Sequence, residues 1–128
     1  MPKAARIFMV VGAVCLMFAA QLSAYGFHGL EGRVPPARIR SWEWAVQMQV
    51  YHSLGLILIG LLSRQFQDSR LLRGSGSLML LGMILFCGSI YAEVLGAPEA
   101  IGEVAPLGGS SFMLAWLLTA IAAWRARS

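Results

Sequence analysis

The chain has 128 residues, 58% hydrophobic and 12% charged, with a net charge of +4 and a mean hydropathy of +0.68. A soluble domain of this length carries about twice that charged share, so water cannot be the main solvent of so much apolar side chain. Nucleic acid is excluded as a partner too, because the ten Lys and Arg residues lie between apolar runs and not along a stripe interleaved with aromatics.

Four apolar stretches are long enough to cross a hydrocarbon core, which takes about 20 helical residues. None shows the period-two alternation of a barrel strand. The first covers about 6–28, behind Lys3 and Arg6. Its basic start and the Leu22-Ser23-Ala24 segment also suit a cleavable signal, but the apolar run is longer than a signal core, so an uncleaved span is expected. Ala20, Ala24 and His28 recur every four residues along it.

Pro35-Pro36 then breaks the chain, and a second helix is expected to start soon afterwards, since proline suits a first turn. It spans about 40–63, with Trp42 and Trp44 at its interfacial end. Gly74-Ser75-Gly76 reads as a turn ahead of a third span over about 77–95, which ends at Gly96-Ala97-Pro98. Gly88, Ala92 and Gly96 form a narrow face on that span. The fourth, about 106–125, opens with Gly108-Gly109-Ser110-Ser111 after Pro106 and carries Ser111, Ala115, Thr119 and Ala123 at successive i+4 positions. Small faces of this kind let helices approach closely in lipid, where burial alone gives no drive.

The expected architecture is one all-α membrane domain over residues 1–128, a four-helix antiparallel bundle. Orientation follows from the basic residues. Lys3, Arg6, Arg64, Arg70, Arg73, Arg125 and Arg127 would share one side, and Arg33, Arg38 and Arg40 the other. Both termini are therefore expected in the cytoplasm.

The stretch Gln47-Met48-Gln49-Val50-Tyr51-His52-Ser53 is out of place at the head of a lipid-soluble run. Gln49, His52 and Ser53 share one face by i, i+3, i+4 spacing, with Tyr51 at its border. His52 lies about 12 Å deeper than Trp44 at helical rise. Polar groups at that depth must point into the bundle and hydrogen-bond between helices. His28, Ser89, Tyr91 and Ser110 are the candidates to meet them from other spans. Glu93 is expected to reach the interface from the last turn of its span, with proton acceptance beside a histidine as the alternative.

His28 and His52 differ in depth by about two turns, on the order of 10 Å, and no third ligand sits at a matching height, so neither haem nor metal is expected. Cys15 and Cys87 both fall in apolar runs and read as small buried residues. No catalytic elbow, phosphate loop or zinc-protease motif is present in the sequence, and no cofactor is expected.

Four motifs occur in order. They are Ala24-Tyr25-Gly26-Phe27-His28-Gly29-Leu30, the run from Gln49 to Leu62, the run from Gly82 to Tyr91, and the run from Val104 to Trp116. Together they resemble the YgdD-like family of small bacterial inner-membrane proteins, catalogued as domain of unknown function 423. Phe27, Met48, Cys87, Ala105 and Ala115 depart from the residues usual there. The resemblance implies a four-helix bundle without a cleaved signal, and it brings no activity with it.

Two functions from different classes follow. The first is a non-enzymatic structural or accessory component that packs with itself or with membrane partners in the lipid bilayer. The second is an intramembrane site for a proton, small solute or lipid-like ligand.

Overall fold

In a computed structural model describing residues 2–66 and 70–126, four helices are long and apolar enough to cross a membrane. Helix α1 is Lys3–His28, α2 is Pro36–Gln65 and α3 is Arg70–Val94. A short α4, Glu99–Gly102, precedes α5, Ala105–Arg125. Arg127, counted above for orientation, lies outside the described residues.

The chain runs up and down, so both ends of the bundle sequence lie on one face. Gln49 of α2 meets Cys15 of α1, and Trp42 meets Leu22 further toward the α1–α2 turn. Between α2 and α3, Ala45 pairs with Cys87 and Ser53 with Met83. Between α3 and α5, Ser75 pairs with Ala115 and Leu78 with Ser111. Helix α2 is the most buried of the four, with 50% of its most apolar stretch inside the bundle, against 17% for α1 and 22% for the α4–α5 segment.

Each buried seam has its reason in the sequence. Helix α1 is apolar all round, and it buries Ala5, Phe8, Gly12, Ala19 and Gly26 on one narrow stripe. Those are four small residues and one aromatic ring, as expected where helices associate by close packing and not by dehydration. A Cβ on Gly12 would stand 2.6 Å from the Ser53 carbonyl oxygen, and one on Gly60 2.8 Å from that of Ala5. The two glycines therefore set how near α1 and α2 lie.

Gly74-Ser75-Gly76 is no turn. Helix α3 starts at Arg70 and runs through all three residues. Ser75 is fully buried against α5, and Gly76 lies under the ring of Phe8, where a Cβ would come within 2.5 Å. The segment is helical because it is a packing surface on two sides, a tertiary demand that outweighs the weak helix propensity of glycine. The turn reading does hold at Gly96, whose φ of +115° suits glycine.

Helix α3 is interrupted by a π-helical segment, Met83–Gly88. Such wide turns absorb an additional residue and shift the faces beyond them. The backbone of α5 enters next to this segment: a Cβ on Gly108 would lie 2.5 Å from the amide nitrogen of Phe86.

The small residues divide sharply. Gly108, Ser111 and Ala115 are buried against α3, and Thr119 is half-buried beside them. Gly88 is exposed, Ala92 is half-buried, and a Cβ on Gly88 or on Gly109 would meet nothing within 4 Å. Ala20 and Ala24 also face outward. The physical reason lies in the partner and not in the stripe, since these positions are turned away from the neighbouring helices.

Neighbouring glycines give a direct check. Gly108→Ala is expected to destabilise by about 2 kcal/mol through overpacking against backbone, whereas Gly109→Ala, with open space, is neutral or stabilising by up to about 1 kcal/mol through helix propensity. Thermal unfolding of the two variants in detergent reads the difference.

Candidate functional site

The polar residues of α2 lie near the middle of a 30-residue helix, so His52 is about 20 Å from either end. That is the driest level of the bundle. Gln49, His52 and Ser53 are buried there, at 7%, 4% and 0% exposure.

The amide of Gln49 bridges three helices. Its Nε2 donates to the Cys15 carbonyl of α1 at 2.8 Å, and its Oε1 accepts from the Tyr91 hydroxyl of α3 at 2.8 Å. The Tyr91 ring leans on the Trp42 ring at a centroid distance of 4.7 Å, and the Trp42 Nε1–H donates to the Leu22 carbonyl at 2.8 Å. Trp42, placed at the interface by its position, is in fact 1% exposed. Its N–H can be buried because a carbonyl on α1 receives it.

His52 makes a second lock. Its Nε2 accepts from the Trp116 Nε1–H at 3.1 Å, which assigns the ring proton to Nδ1, and Nδ1–H donates to the Met48 carbonyl at 2.7 Å. One face of the imidazole stacks on Phe112, 3.6 Å between centroids and 12° between planes. Both nitrogens of the neutral ring are thus used.

Five other side chains belong to bonds that tie helices in the same manner. Ser53 donates to the Met83 sulfur, Cys87 to the Ala45 carbonyl, and Ser111 to the Leu78 carbonyl. Ser75 and Thr119 share the Ala115 carbonyl and bond each other at 2.7 Å. Among the described residues, no buried side-chain nitrogen or oxygen lacks a partner. Nor do three His, Cys, Asp or Glu residues converge among them.

The expected cluster is only partly brought together. Gln49 and Tyr91 bond directly. His28 lies exposed at the end of α1 with its ring edge-on to Phe27, and Ser110 is also exposed. Tyr51 is 56% exposed and faces lipid, because one position separates it from the buried face of α2. Ser89 is buried but donates to the Phe86 carbonyl of its own helix. Glu93 offers its carbonyl to Arg38 at 3.0 Å, and its carboxylate lies over Gly102 of α4.

Trp116 and Phe112, the partners of His52, were not anticipated. The signal was available: Trp116 sits mid-span, unlike the interfacial Trp44 and Trp124, and a tryptophan held in hydrocarbon needs an acceptor for its N–H.

A groove of about 220 Å³ opens beside this network, lined by Cys15, Gln49, Met83, Cys87, Gly88 and Tyr91. Both cysteines are free thiols. The two locks are separable by mutation. A double-mutant cycle of Gln49→Leu with Tyr91→Phe should show a coupling of about 1 kcal/mol, while Gln49→Leu with Trp116→Phe should show little. Unfolding in mixed micelles supplies the four stabilities for each cycle.

Comparison with known proteins agrees with this architecture. The profile described as Protein of unknown function (DUF423) matches residues 22–109. The UPF0382 membrane protein YwdK of Bacillus subtilis is 34% identical over 118 residues, covering 92% of this chain and 96% of the relative. A UPF0382 membrane protein of Staphylococcus haemolyticus is 37% identical over 120 residues, covering 94% and 97%. No solved structure matches. A four-helix chain with this end-to-end similarity belongs to the DUF423 family, the UPF0382 membrane proteins of unknown function.

Proposed function

We propose that the protein is a non-enzymatic accessory component of the bacterial plasma (inner) membrane, with both termini cytoplasmic, that packs against itself or against membrane-protein partners. One observation carries this reading: the polar groups midway along α2 are consumed by hydrogen bonds within the bundle, three between helices and one along α2 itself. A general acid or base needs a proton or lone pair free to meet a substrate, and His52 has neither to spare. The outward faces of α1 and α5, largely unburied within the bundle, supply the area for association.

A second reading is favoured by the groove beside Gln49 and Tyr91. There a proton, small solute or lipid-like ligand would compete with Tyr91 for the Gln49 amide. His52→Ala and Tyr91→Phe separate the two. Under the first reading both lower thermal stability, His52→Ala by about 2 kcal/mol, and purification in mild detergent recovers a defined oligomer or a stoichiometric partner. A lone 13.9 kDa monomer in lipid nanodiscs, with ligand binding lost in Tyr91→Phe at unchanged stability, would transfer the case to the second.

A further inference from the structure

A cavity lies at the α1–α2 connection, at the end of the bundle where these two helices are joined. It measures about 620 Å³, and Glu31, Arg33, Arg40 and Glu43 stand around it over a floor of Val34 and Ile39. Two cations and two anions at one rim would ordinarily pair. Here none of the four makes an ion pair or side-chain hydrogen bond among the described residues.

A second cavity of about 220 Å³ continues from it along the α1–α2 seam, sharing Phe27 and Glu43 and adding Ser23, Val46 and Gln47. Arg40, Glu43 and Gln47 fall on one face of α2 by i, i+3 and i+7 spacing. Gln47 lies one helical turn, about 5 Å, further toward the hydrocarbon than Glu43. Depth therefore orders the polar chemistry: charges of both signs outermost, then an amide and a hydroxyl, with apolar side chains of Ile39, Val46 and Phe27 between them. A glycerophospholipid orders its polar groups the same way, with its headgroup outermost and its ester carbonyls next.

We infer that this seam binds one phospholipid whose headgroup carries both a phosphate and a primary ammonium. Arg33 and Arg40 hold the phosphate by charge-assisted hydrogen bonds, Glu31 and Glu43 accept from the ammonium, and Gln47 and Ser23 donate to the ester oxygens. A purely anionic headgroup would leave the two carboxylates facing negative charge. A quaternary ammonium has no N–H to donate to them. The site touches the helix locks at Trp42 and does not depend on the proposed accessory role.

The test is native mass spectrometry of the delipidated full chain titrated with dioleoyl lipids bearing ethanolamine, choline or glycerol headgroups. Ethanolamine lipid should be retained about tenfold more tightly than the other two, the worth of one charge-assisted bond. Glu31→Gln with Glu43→Gln should erase that preference while leaving glycerol lipid bound as before or better. Arg33→Ala with Arg40→Ala should weaken ethanolamine and glycerol lipids together. All four positions are exposed, so the variants should keep the parent's melting temperature. Should the arginine pair unfold nevertheless, Gln47→Ala serves in its place and should weaken all three lipids equally. Equal retention of the three headgroups by the parent, or a preference that survives the glutamate substitutions, would overturn the proposal.

Discussion

A donor buried in hydrocarbon has no water to fall back on, and this single condition organises the bundle. Helix backbones satisfy it internally. Side chains such as Gln49, Ser75, Trp42 and Trp116 satisfy it by reaching an acceptor on a neighbouring helix, which fixes rotation and height together. Each such bond is worth on the order of 1 kcal/mol in a membrane, too little to hold a helix alone. Their larger effect is on uniqueness. A helix rotated by one residue would strand several donors at once.

Close backbone approach and hydrogen bonding reinforce each other. Gly12 lets α1 come up to the Ser53 carbonyl, and the same approach puts the Cys15 carbonyl within reach of Gln49. Gly108 lets α5 settle beside the wide turn of α3, which brings Ser111 to the Leu78 carbonyl. Helix α2 gains most from both effects: it packs on α1 and α3 and reaches α5 through His52.

Much of this was legible in the sequence. Apolar run lengths and proline or glycine breaks located the four helices, and the i, i+3, i+4 spacing of Gln49, His52 and Ser53 put all three on one inward face. What stayed illegible was set by neighbours. Gly74-Ser75-Gly76 has the composition of a turn and becomes helix because Phe8 and Ala115 close over it. The π-helical segment and the short α4 carry no periodic signature. Tyr51 and His28 have the right chemistry for the polar cluster, but one lies a single position off the buried face and the other sits at the end of its helix.

The acceptors in these locks are mostly main-chain carbonyls: those of Cys15, Leu22, Ala45, Leu78 and Ala115. A carbonyl is supplied by whatever residue occupies the position, proline included. Half of every such bond is therefore blind to amino-acid identity, and drift at the accepting helix leaves it intact so long as side-chain bulk still fits. The burden of exact chemistry falls chiefly on the donors, few in number and concentrated on α2, α3 and α5, which frees α1 to vary in composition outside its buried stripe of small residues while keeping its place.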